Sequence, residues 1–235
     1  VKDEVERMKS QIEKLIEEST IGDVPFYQIE YMTKAGFFET MKKNYHLEVC
    51  EPSKSEKKVV LVGDPPALKK AKHALQIMRK NVAESKCEHK KDDHFIRVFR
   101  SENACRLLSN FLQEKKLTVV HTQNGDTITI YSDNKDNAER AMQYLDDVIW
   151  DAPYPDNGRL DDCERQFLAT SKWKDKKAEL ERKIEPLLII QSIDGHSLRL
   201  VGLKNQKEAA LAKITRCFRE EVIRKFVFKG KGQRV

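Results

Sequence analysis

Residues 60–75 read VLVGDPPALKKAKHAL: an apolar strand, a glycine, then a proline-opened helix carrying lysines. Strand, glycine and helix start are the parts from which many phosphate sites are built, so this corner is either a ligand cradle or a turn. Two further copies decide between them. Residues 128–142 read ITIYSDNKDNAERAM and residues 198–214 read LRLVGLKNQKEAALAKI. The strands end at Val62, Tyr131 and Val201, which are 69 and 70 residues apart, and the next residue is Gly63, Ser132 or Gly202. Serine in the middle copy means that the position needs a small side chain, not a phosphate-approaching glycine. Neither a Walker-type Gly-Lys-Ser/Thr nor a G-x-G-x-x-G spacing is present.

The corner belongs to a repeat of about 70 residues. Each copy has a strand pair before the corner. Asn124–Asp126 and Asp194–His196 supply Asn-Gly and Asp-Gly turns between β-branched runs, the strongest short hairpin signal. The first hairpin carries a longer polar loop, EPSKSEKK, so its turn type stays open.

An amphipathic helix follows each corner. Its apolar stripe is Leu68, Ala71, Leu75, Met78 and Val82 in the first copy and Ala138, Ala141, Met142 and Leu145 in the second. In the third it is Ala210 or Leu211, Ile214, Cys217 or Phe218, and Val222. Pro65 and Pro66 suit a helix start; Asp133 or Asn134 caps the second helix, and Asn205 with Glu208 forms a capping-box-like pair on the third. Another helix precedes each hairpin, near Gln28–Lys43, Glu102–Glu114 and Lys172–Ile184. The opening strands are assigned to DVPFY (23–27), HFIRVF (94–99) and ERQFLATS (164–171).

The expected unit is therefore β-α-β-β-α, an α+β module with one small three-stranded sheet covered by helices on one face. The expected modules are residues 24–85, 93–152 and 160–225. Polar or proline-containing links, AESKCEHKKDD and DAPYPDNGRLDD, separate them. Residues 1–20 read as the closing helix of a preceding module, and 226–235 as a linker to a following domain.

This architecture resembles tandem KH and KH-like domains, and most closely the degenerate KH-like strings of the macro-domain poly(ADP-ribose) polymerases. A related string occurs in the Deltex-type ubiquitin ligase. The resemblance is carried by AGFFETMKKNYHLEV (35–49), VVLVGDPPALKKAKHAL (59–75) and LRLVGLKNQKEAALAKI (198–214), and spans about residues 24–225. It implies a KH-like fold in a parent protein that performs NAD-dependent mono-ADP-ribosyl transfer through a separate domain. One departure matters. An RNA-binding KH module clamps phosphates with a Gly-x-x-Gly loop between its first two helices. Here that region holds the single Gly36 in the first copy and no glycine in the second (100–116) or third (168–183).

Composition bounds the rest. The chain has 235 residues, 35% charged and 39% hydrophobic, with a net charge of +6. No apolar run approaches the length of a membrane helix, so no membrane contact is expected. Five scattered cysteines fit a reducing compartment, cytoplasmic or nuclear. Cys87, His89 and His94 gather in CEHKKDDH, but Cys-x-His-x4-His matches no structural zinc spacing. No metal, cofactor or catalytic residue is assigned.

Charge is segregated: residues 133–164 hold ten acids against three basic residues, and residues 172–235 hold 17 basic residues against eight acids. Nucleic-acid candidates are Lys69, Lys72, Arg79 and Lys80 on the first closing helix, and Lys172, Lys174, Lys176 and Lys177 around Trp173. An aromatic ring among lysines is how single strands are held without a sequence code. The competing reading makes Trp173 a core residue and the lysines a solvated face. Two functions follow: a non-catalytic scaffold binding a protein partner or other domains of its chain, or RNA or single-stranded nucleic-acid binding through modules one and three.

Overall fold

The computed structural model describes residues 16–156 and 159–231, with side chains through Glu221. Three small antiparallel sheets, each of three strands, organise these residues, and each has its last strand in the middle. The chain forms two compact units, residues 1–90 with 112–142, and residues 91–111 with 143–235.

The first unit opens with strand β1 (Glu17–Ile21), helices α1 (Phe26–Lys34) and α2 (Phe37–Asn44), the hairpin β2 (Val49–Ser53) and β3 (Lys58–Gly63), and helix α3 (Pro65–Glu84). Sheet A runs β1-β3-β2. Its inward residues Cys50, Val59 and Leu61 join Ile29, Met32, Phe38, Leu68, Ala71 and Leu75 in one core. Strand β4 (Lys86–Lys90) then pairs with the hairpin β5 (Val120–Asn124) and β6 (Thr127–Tyr131) as sheet B, order β4-β6-β5.

In the second unit lie α4 (Asp93–Phe99), strand β7 (Ile149–Tyr154), helices α7 (Asp162–Leu168) and α8 (Ser171–Lys183), and the hairpin β8 (Leu188–Gln191) and β9 (Leu198–Leu203). Helix α9 (Lys207–Lys231) follows. Helices α5 (Glu102–Glu114) and α6 (Lys135–Val148) each contribute residues to both units. Sheet C runs β7-β9-β8, and its inward residues Ile189, Leu198 and Leu200 pack with Phe167, Trp173, Ile214 and Phe218.

The architecture is that of tandem KH-like modules, with one correction to the order of elements. Each opening strand lies upstream of its expected place, and each unit reads β-α-α-β-β-α. HFIRVF is helix α4, most of ERQFLATS belongs to α7, and DVPFY runs into α1. Capping explains the first two. The Asp92 carboxylate accepts from the amides of His94 and Phe95, and Asp161 with Glu164 forms a reciprocal capping box. These caps outweigh the strand preference of the β-branched and aromatic residues in HFIRVF.

The helix expected over Gln28–Lys43 is two helices broken at Ala35–Gly36, where Gly36 has φ +64°. From Glu17 the expected opening helix is strand β1; residues 1–15 lie outside the described residues. The Asn205–Glu208 pair is replaced by a 3-10 turn, Lys204–Gln206. Helix α9 continues to Lys231 through the first part of the stretch read as a linker, and residues 232–235 lie outside the description.

The small corner position is explained by packing. A Cβ on Gly63 would meet Leu47 Cδ2 at 3.0 Å, and one on Gly202 would meet Trp150 Nε1 at 3.3 Å. Ser132 is fully buried and donates its hydroxyl to the Thr118 carbonyl.

Each sheet also has a second face, opposite its inward residues. On sheets B and C a helix from the preceding repeat packs against neighbouring strands. Helix α1 packs on β5. Tyr27 stacks on Tyr131 with ring centroids 3.9 Å apart, and Val120 belongs to the first core. Helix α4 packs on β9 and β7.

Candidate nucleic-acid interface

Two-residue junctions join the first two helices in each repeat: Ala35–Gly36, Arg100–Ser101 and Ala169–Thr170. This is where a phosphate clamp would need free helix-start amides. In the second junction the Ser101 hydroxyl accepts from the Ala104 amide and donates to the Val98 carbonyl. In the third, the Thr170 hydroxyl accepts from the Trp173 amide and donates to the Phe167 carbonyl. These side chains occupy the amides from within. Gly36 has no side-chain cap, and Glu39 in the first turn of α2 places negative charge where a phosphate would sit.

Trp173 does not present a ring. It is 2% exposed and packs among Phe167 and Phe218 in the third core, so the expectation of a base-stacking platform is corrected. Its spacing from Leu180 and Ile184 on the buried side of α8 is the signal for that role.

The basic candidates divide. Arg79 is tied to α1: its Nε donates to Gln28 Oε1 at 3.1 Å and its Nη2 to the Asp23 carbonyl at 2.9 Å. Lys80 pairs with Glu84, Lys172 with Glu221, Lys176 with Glu179, and Lys177 with Glu181. Lys69 and Lys72 on α3, and Lys174 on α8, have no ion-pair partner among the described residues. Lys69, Lys72, Arg79 and Lys80 share α3, and Lys172, Trp173, Lys174, Lys176 and Lys177 lie on α8 in the other unit.

A groove of about 370 Å³ between α8 and α9 gathers Lys176, Lys183, Lys213 and Arg216 around Glu179 and Glu220, over Leu180 and Cys217. Lys183 and Lys176 together hold the Glu179 carboxyl down to about 2. Burial pushes the Cys217 thiol up, which suppresses its nucleophilic form. Lys183, Lys213 and Arg216 lie outside the lysine cluster around Trp173 that stands out in the sequence. The i, i+4 spacing of Glu179 with Lys183 and of Arg216 with Glu220 marks Lys183 and Arg216. Lys176, Lys183 and Arg216 are held in internal pairs that a phosphodiester would have to displace.

Cys87 and His89 lie on β4 and His94 opens α4. Among the described residues, no three His, Cys, Asp or Glu side chains gather to hold a metal ion.

No family model matches the chain, and no curated protein matches it. Solved structures do. Dim2p from Pyrococcus horikoshii OT3 is 14% identical over 55% of this chain and 88% of that one, with a TM-score of 0.25. The a/eIF2alpha-aDim2p-rRNA complex from the same organism gives 12% identity, 55% and 83% coverage, and a TM-score of 0.24. Aeromonas hydrophila ExeD is 10% identical over 86% of this chain and 41% of that chain, with a TM-score of 0.24. Likenesses this loose carry no function to the chain, and none of them is to a macro-domain polymerase or a Deltex-type ligase.

Proposed function

We propose that the chain is a non-catalytic array of KH-like modules that positions protein partners or other domains of its own protein. The carrying observation is the use of α1 and α4 as docking helices for the sheets of the following repeats. In this reading the first helix serves assembly, and the self-capped junctions at Ser101 and Thr170 serve rigidity. We also read the segment as part of a larger ADP-ribosylation-related protein of the cytoplasm or nucleus, on the sequence resemblance alone. No described helix is long and apolar enough to cross a membrane.

A second reading is favoured by Lys69, Lys72 and Lys174, which have no ion-pair partner among the described residues: contact with the phosphates of RNA or single-stranded nucleic acid. That is also the ligand class named in the archaeal complex. Fluorescence anisotropy with a labelled single-stranded RNA separates the two. The array reading expects no saturable binding at low salt. Binding that weakens steeply from about 50 to 200 mM salt overturns it and installs the second reading. With Lys69→Glu and Lys72→Glu, the log–log salt slope then falls by roughly one per lost phosphate contact. Incubating the chain with labelled NAD tests the absence of catalysis, and label transfer to protein refutes it.

A further inference from the structure

On sheet A, the residues alternating with the inward Cys50, Val59 and Leu61 are Val49, Val60 and Val62, and all three are half-buried. The strand register places Val49 and Glu18 on either side of Val62, and Glu51 and Thr20 on either side of Val60. The result is a valine strip bordered by the exposed carboxylates Glu18 and Glu51.

On sheet C the same face of the central strand carries Arg199, Val201 and Leu203, with Ile149 beside Leu203; Ile149, Val201 and Leu203 are each 5% exposed or less. Helix α4 packs on those strands, and Arg199 is bonded to both Asp92, the α4 cap, and Asp151 on β7. Sheet B receives α1 on β5. Among the described residues, the main helix contacts of sheet A come from α1, α2 and α3 of its own repeat. Cys50, Val59 and Leu61, not the valine strip, join the core that these helices build.

We propose that the valine strip of sheet A is a docking surface for an amphipathic helix of the kind α4 supplies: apolar on one side, with lysine or arginine at its ends to meet Glu18 and Glu51. Two observations select this occupant. Each of the other two sheets receives a helix from the preceding repeat, α1 on β5 of sheet B and α4 on β9 and β7 of sheet C. The rim is acidic, whereas α4 carries Lys90 and Lys91 before it and Arg97 and Arg100 within or just after it. The inference rests on the array reading and specifies one partner of the array.

The test titrates the isotopically labelled full chain with a synthetic peptide of residues 90–101, and follows amide chemical shifts. Shifts at Val49, Val60 and Val62 are expected, reduced at least fivefold in Val60→Glu and, where that variant disturbs the sheet, in the surface variant Glu51→Lys. No shift, shifts confined to sheet C, or shifts unchanged in Glu51→Lys and Val60→Glu overturn the proposal. Salt-sensitive RNA binding displaces the array reading but leaves these sheet A shifts unaffected, so the two failures are distinguishable.

Discussion

Helix α1 meets sheet B through a stacked tyrosine pair, whereas α4 packs on sheet C with its N-terminal cap held by an arginine of β9. In the first contact Tyr27 stacks on Tyr131 at an interplanar angle of 17°, and Tyr31 is 2% exposed. Burial, together with the neighbouring Asp133 carboxylate, pushes the Tyr31 phenol up to about 12, so it stays protonated across the ordinary pH range. On α4, Ile96, Val98 and Phe99 are buried, and the N-terminal cap is tied to Arg199. Partial burial alone would raise the Asp92 carboxyl. The Phe95 and His94 amides and the Arg199 guanidinium outweigh it and hold the group below its ordinary value. The comparison teaches that the repeat preserves helix-on-sheet packing and leaves free both the strands used and the chemistry of the contact.

Three substitutions probe that contrast. Ile96→Ala removes buried aliphatic surface from the α4 side and is expected to cost about 3 kcal/mol in urea unfolding. A loss below about 1 kcal/mol shows that α4 is an appendage and breaks the equivalence with α1. Tyr27→Leu keeps apolar area but removes the stack, with an expected loss of about 1 kcal/mol. An equal loss in a Tyr131→Leu variant, with no further loss in the double variant, ties the effect to the ring pair.

Arg199→Met has the smallest expected effect, about 0.5 kcal/mol at pH 7, because the ion pairs are partly exposed. Its sign with pH is fixed by Asp92. A carboxyl with a depressed folded pKa adds stability above its unfolded value, near pH 4, and loses that stability as pH falls through the folded value. The gap between wild type and Arg199→Met therefore closes on acidification. A gap constant from pH 7 to pH 3 assigns the effect to packing of the arginine stem.

Much of the fold was legible in the residues. The stripe Leu68, Ala71, Leu75 and Val82 is buried as its spacing requires, and Gly125 at φ +59° forms the Asn-Gly hairpin turn. Periodicity and turn chemistry are local properties, so one sequence exposes them. The opening strands were not legible because their composition misleads: β4, Lys86–Lys90, carries two lysines, a glutamate and a histidine. HFIRVF has the stronger strand composition and is a helix. The box Asp161-x-x-Glu164 was a readable sign that the corresponding stretch of the third repeat begins a helix.

Of the candidate site, the sequence located the junctions that lack a clamp. It could not show that Ser101 and Thr170 close them, because a hydroxyl's partner depends on the angle between two helices.

By itself the sequence determined the repeat, the hairpin turns, the closing-helix stripes and the small residue at each corner, since spacing along one element sets all four. Only the tertiary structure decided that Trp173 is core and that Arg79 is bound to Gln28. The same holds for the second faces of sheets B and C, which receive α1 and α4. Such outcomes depend on which surfaces meet across tens of residues, and hydrophobic burial rewards the meeting without writing the partner's address into either segment.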